Sequence, residues 1–173
     1  MTADEFLALG ESIDRYELVD GVVCMSPSPT YRHQKIITDI AAQIAGFLHG
    51  SPIGEVAVEI DVRLKGDLVY RPDVVYLSKE KAARCGDAIT VAPDVVVEVI
   101  SPDSRRYESE TKRRDYEAAG VGEYWLIDPD KRLFTFLVMG AGGFEEAKAN
   151  DTSYNAKLIP GFNLDLRRIL QLR

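Results

Sequence analysis

"PDVVVEVISP", residues 93–102, decides how the rest of the chain is read. Val95, Val96, Val97, Val99 and Ile100 form a run without polar alternation, the pattern of a strand covered on both faces. Glu98 interrupts it. A carboxylate taken out of water is costly unless it is neutralised, paired or bound to a metal ion. The question is what holds a glutamate there.

One answer lies 25 residues upstream. In "LVYRPDVVYL" (68–77), Asp73 opens an apolar strand just after Pro72. Neighbouring strands lie roughly 5 Å apart, so Asp73 and Glu98 are close enough to share one cation. Mg²⁺ is commonly held by one or two carboxylates together with water and substrate phosphate. A lysine two residues after Glu98 would point the same way, because strand side chains alternate. Ile100 stands there instead. The candidate replacement is Lys112, with Tyr116 one helical turn later on the same face of the next helix. His33 falls on the apolar stripe of an earlier helix, and Glu17 lies in the first hairpin. Each has a purely structural alternative: strand cap, arginine partner, surface charge, core histidine or exposed strand position.

Farther out, Thr2 is the expected N-cap of a short helix over "ADEFLAL". Asp20-Gly21 sits between two β-rich runs and predicts a hairpin. Pro27 and Pro29 break the chain. From Thr30 to about Leu48, Ile37, Ile40, Ile44, Phe47 and Leu48 recur at helical spacing. "EVAVEIDVRL" (55–64) alternates throughout and predicts one strand with a side toward water. A helix over about 103–119 ends at Gly120. "EYWLID" (123–128) and "RLFTFLV" (132–138) flank a turn and form another hairpin. "GAGG" (140–143) reads as a loop, and a short amphipathic segment spans about 163–171. From residue 30 the order is helix, three strands, helix, strand. This predicts an α/β fold in which helices flank a mixed sheet, with an N-terminal and a C-terminal hairpin added.

Composition narrows the classes. The chain has 173 residues, 46% hydrophobic and 28% charged, as expected for one globular domain spanning 1–173. No apolar run approaches the roughly 20 residues of a membrane helix. The segment "MTADEFLALG" has two acids and no base before its apolar positions, unlike a signal peptide, so the expected location is the cytoplasm. Cys24 and Cys85 read as ordinary thiols. With His33 and His49 as the two histidines, the spacing of a structural zinc site is missing. A net charge of −7 argues against nonspecific duplex binding by bulk electrostatics. The basic charge gathers late, in "SRRYESETKRRDY" (104–116), which also reads as a solvated helix face.

"YELVDGVVCMSPSPTYRH", "RPDVVYL", "VVVEVISPDS" and "KRRDYEAAGVGEYWLIDP", in this order, resemble the bacterial Uma-two family of nuclease-like proteins. That family looks like a branch of the PD-(D/E)XK, or restriction-endonuclease-like, superfamily. The resemblance runs from about residue 3 to 138. It implies a core of helix, three strands, helix and strand, with Asp73 and Glu98 as metal ligands. It also implies that Lys112 replaces the lysine missing at Ile100, and that Glu17 and His33 border the site. Tyr116 and Asp128 take supporting roles. The implied function is hydrolysis of phosphodiester bonds in DNA, with Mg²⁺ or alternatively Mn²⁺. The alternative is an inactive nucleic-acid-binding or assembly module on the same fold, and a third reading is a hydrolase of smaller phosphate esters. No membrane partner is expected. A homodimer would place two sites on a duplex, with "RLFTFLV" or the N-terminal strands as the pairing edge.

Overall fold

The computed structural model of the chain describes residues 1–10, 15–25, 28–101 and 107–171. The chain begins with helix α1 (Ala3–Leu7) and strands β1 (Tyr16–Val19) and β2 (Val22–Met25). Helix α2 (Tyr31–Gly50) precedes β3 (Gly54–Val58), β4 (Val62–Lys65), β5 (Leu68–Tyr70) and β6 (Val74–Ser78). After α3 (Lys79–Ala82) and β7 (Val95–Val99) comes a π-helical segment (Tyr107–Lys112) that runs into α4 (Arg113–Ala119). Then follow β8 (Glu123–Asp128), β9 (Leu133–Gly140), β10 (Gly143–Ala147), β11 (Ser153–Asn155), β12 (Asn163–Asp165) and α5 (Leu166–Gln171).

The main sheet has six strands in the order β10-β9-β8-β7-β6-β3. β7 and β8 are parallel and the other neighbouring pairs antiparallel. Helix α2, strands β3, β6 and β7, helix α4 and strand β8 are the expected helix, three strands, helix and strand. A second sheet, β2-β1-β5-β4, packs with α4 against one face of the main sheet. Helix α2 and the β11–β12–α5 segment cover the other. The odd valines Val95, Val97 and Val99 enter the α2 core, while Val96 and Ile100 enter the α4 core. Both faces of β7 are covered, which is why its sequence does not alternate.

Local signals explain most elements. Thr2 and Glu5 form a reciprocal capping box on α1. Asp20 and Gly21 both take positive φ, 47° and 79°, as the two-residue hairpin turn requires. Thr30 caps α2, which buries Ile36, Ile37, Ile40, Ile44 and Leu48. Gly120 ends α4 in the left-handed conformation.

Four expectations are corrected. The alternating run 55–64 is two strands in different sheets, because the backbone turns at Glu59 with φ 50°. The stretch 68–77 divides likewise into β5 and β6 around Arg71–Pro72. "GAGG" is a tight turn, with its outer glycines paired in the β9–β10 ladder. Because β10 covers β9, "RLFTFLV" is not an edge available for pairing. The start of the helix expected from residue 103, with Arg105 and Arg106, lies outside the described residues, as does Pro27.

Candidate active site

Asp73 and Glu98 meet through strand register. β6 pairs antiparallel with β7, Val74 opposite Val97, and one further residue sets Asp73 opposite Glu98. Asp73 Oδ2 accepts the Val99 N–H at 2.7 Å, which fixes its carboxylate across the strand gap. Both side chains are almost wholly buried, Asp73 2% and Glu98 1% exposed. Glu98 lies on the α4 side of β7, between Val96 and Ile100.

The helix after β7 supplies the partners. Lys112 closes the π-helical segment and Tyr116 sits one turn later in α4. Lys112 Nζ donates to Glu98 Oε1 at 2.9 Å, and Tyr116 OH donates to the same oxygen at 2.7 Å. Among the described residues Glu98 Oε2 takes no hydrogen bond. Lys112 Nζ also donates to Glu17 Oε1 at 2.9 Å, and the Arg71 N–H reaches that oxygen at 3.0 Å. Glu17 is therefore buried in the site and not an exposed strand position. The rings of Tyr70 and Tyr107 flank the ammonium, with centroids 5.0 and 5.7 Å away. Ile100 packs in the apolar cluster on the same face, so the strand position next to Glu98 carries no charge.

At the mouth, His33 in the first turn of α2 places Nε2 3.3 Å from Asp73 Oδ1. Arg15 Nη2 donates to that oxygen at 2.8 Å, and its Nη1 lies 3.1 Å from Glu59 Oε1. Arg15 was not singled out in the sequence; its side chain reaches a carboxylate 58 positions away, which no local pattern announces. The turn at Glu59 acquires a purpose here, since its carboxylate accepts from both Arg15 and Gln34. Asp128 ends β8 at the same end of the sheet and accepts the Lys131 N–H at 3.0 Å, a supporting place in a turn.

The family model described as "Uma2: Putative restriction endonuclease" matches residues 3–167. The chain belongs to this family. Among solved structures, a "putative nuclease belonging to DUF820" from Anabaena variabilis ATCC 29413 superposes with TM-score 0.81. It covers 98% of this chain and 97% of its own at 22% identity, a likeness of fold. The type IIG restriction endonuclease BpuSI is similar at TM-score 0.42 and 14% identity over 84% of this chain and 17% of its own, too distant to carry an argument. No curated protein matches the chain. The family's description is that of a restriction endonuclease, and this member has the mixed-sheet architecture of the restriction-endonuclease-like fold.

In this Uma2 protein, among the described residues, three buried carboxylates, Glu17, Asp73 and Glu98, face two cations, Lys112 and Arg15. Burial pushes the Glu98 carboxyl up to about 7, against the pull of Lys112 and helped by Asp73 and Glu17. Burial also acts to raise Asp73, but His33 and Arg15 outweigh it and hold the group below its ordinary value. For Lys112, burial favours the neutral amine, yet Glu98, Glu17 and Glu108 win and raise it above the ordinary range. Tyr116, desolvated and beside Glu98, is raised well above the ordinary tyrosine and stays a neutral donor. The arrangement keeps a charged lysine beside a carboxyl that is short of positive charge.

Proposed function

We propose that the chain is a divalent-metal-dependent endonuclease that hydrolyses phosphodiester bonds in DNA. The observation that carries this is the meeting of two buried carboxylates, Asp73 and Glu98, opposite each other and beside a locked lysine, with more carboxylate than cation among the described residues. Such a surplus fits a cation better than it fits a purely structural ion pair.

The donor set suits Mg²⁺ or Mn²⁺. Among the described residues no cluster of three or more His, Cys, Asp or Glu is arranged to hold a metal. Magnesium, however, usually needs only one or two carboxylates, with waters and substrate phosphate completing its shell. Asp73 would supply an oxygen now bound by Arg15 and His33, and Glu98 its second oxygen, Oε2. When bound, such an ion polarises a phosphoryl oxygen and lowers the pKa of water.

The chain's own residues do the rest. Lys112, fixed by Glu98 and Glu17, places positive charge where the phosphate becomes more negative in the transition state. Tyr116 holds Glu98 in its rotamer. His33, at the mouth, orients water or binds phosphate. In the net reaction OH adds to phosphorus, the P–O bond to the leaving sugar oxygen breaks, and that oxygen gains the remaining hydrogen.

One observation favours the second reading, a binding or assembly module. Lys112 is only 4% exposed and doubly paired, as a purely structural lysine would be. Supercoiled plasmid separates the two. Asp73→Asn should abolish metal-dependent nicking while the fold persists by circular dichroism. Cleavage that survives the substitution contradicts the assignment, and wild-type binding in EDTA without cleavage in any metal establishes the module.

A further inference from the structure

We propose a second nucleic-acid contact beside the site: a cavity between α2 and the β8–β9 turn that takes a phosphodiester neighbouring the one being cut. This rests on the nuclease reading and adds a subsite to it.

The fold brings the cavity to the right end of the sheet. Parallel pairing sets Val99 beside Ile127, so Asp128 and the turn after it emerge at the same end as Glu98. The first turn of α2 then touches both places. His33 reaches Asp73, while the preceding residue, Arg32, donates to Pro129 O at 2.8 Å and Asp130 Oδ1 at 3.0 Å. Between these elements lies a cavity of about 490 Å³ lined by Arg32, Asp130, Arg132 and Phe134 over Ile169 and Leu170. That volume falls within the range of small-ligand pockets, which suits one nucleotide unit of a strand.

The chemistry is that of a phosphate contact. Two guanidinium groups face one carboxylate, a local positive excess in a chain of net charge −7. Arg32 is oriented at the cavity by Pro129 O and Asp130, and Arg132 forms no ion pair among the described residues. Guanidinium groups match phosphate oxygens with paired, directed N–H donors. The N-terminal end of the 20-residue α2, with its peptide dipoles, also favours an anion nearby. The adjoining cavity, past Arg132 and Phe134, is less suited because Glu146 and Asp151 offset Lys148 there. Phe134 and the aliphatic floor give the sugar and base an apolar surface.

The test is fluorescence anisotropy of a labelled DNA duplex in EDTA, across a salt series, with wild type, Arg132→Asn and Lys157→Gln. Asparagine tolerates the φ of 54° at position 132, so the backbone is kept. Lys157 is exposed beside Leu158, whose N–H bonds Glu123 at the opposite end of β8, and serves as the remote control. Losing one phosphate contact should lower the magnitude of the slope of log K against log[salt] by about 0.9 in Arg132→Asn. Affinity should fall several-fold, with little change in Lys157→Gln. An unchanged slope in Arg132→Asn overturns the subsite and leaves the nuclease reading standing. A wild type that binds no DNA either in EDTA or with Ca²⁺ in its place contradicts the nuclease reading, and the subsite falls with it.

Discussion

Lys112 Nζ lies 2.9 Å from Glu98 Oε1, although it comes from the following helix while the nearby strand position holds Ile100. Lys112 also binds Glu17, so it neutralises two carboxylates from separate sheets. Removing it strands both in a buried site. Lys112→Met should therefore cost about 3–5 kcal/mol in urea unfolding. Adding Glu98→Gln removes one orphaned charge and should restore part of that loss. A double variant no more stable than Lys112→Met would show that the two residues are not coupled.

The pH dependence of stability reports the same imbalance. The folded pKa of Glu98, about 7, exceeds its ordinary 4.5, so between these values the folded protein holds more protons than the unfolded chain. Stability from this group is present below pH 4.5 and is lost as pH rises toward 7. Glu98→Gln removes that slope. In EDTA, the Tm of Glu98→Gln relative to wild type should be higher at pH 8 than at pH 5. Equal differences at both pH values would mean that Glu98 titrates normally.

In the proposed metal site Arg15 would compete with the ion for Asp73 Oδ1, since the guanidinium already sits 2.8 Å from that oxygen. Arg15→Gln removes a positive charge from the mouth and should tighten Mg²⁺ or Mn²⁺ binding about tenfold, ~1.4 kcal/mol by calorimetric titration. Asp73 would rise in pKa as well, because Arg15 is among the groups holding it down. Unchanged or weaker metal binding would instead make Arg15 a positioning partner of the metal-bound state.

Not every buried carboxylate belongs to the site. Glu123 is fully buried at the start of β8 and accepts from Trp125 Nε1, Tyr154 OH and the Leu158 N–H. It ties the C-terminal segment to the sheet. Glu123→Leu leaves three donors without an acceptor and should cost about 3 kcal/mol or more in urea unfolding. Any metal affinity measured at equal folded fraction should be retained. A stability within 1 kcal/mol of wild type would contradict the anchoring role.

Much of this was legible because local chemistry and tertiary need agree. Thr2, Asp20-Gly21 and Gly120 each place a turn or cap where the structure has one. The pairing of Asp73 with Glu98 followed from two neighbouring apolar strands, and Lys112 with Tyr116 from helical spacing. The break at Glu59 was hidden because apolar alternation continues through Val58, Ile60 and Val62 while the backbone changes sheets. β11 and β12 have three residues each, too few for periodicity to show. Arg15 became visible only once folding brought it to Asp73.

The most direct test is calorimetric titration of Mg²⁺ and Mn²⁺ into wild type and Glu98→Gln, followed by incubation of the same samples with supercoiled plasmid. The account predicts metal binding and nicking in wild type, and loss of both in the variant. If neither protein binds metal and the plasmid stays intact, Glu98 is a structural carboxylate held by Lys112 and Tyr116, and the nuclease assignment fails.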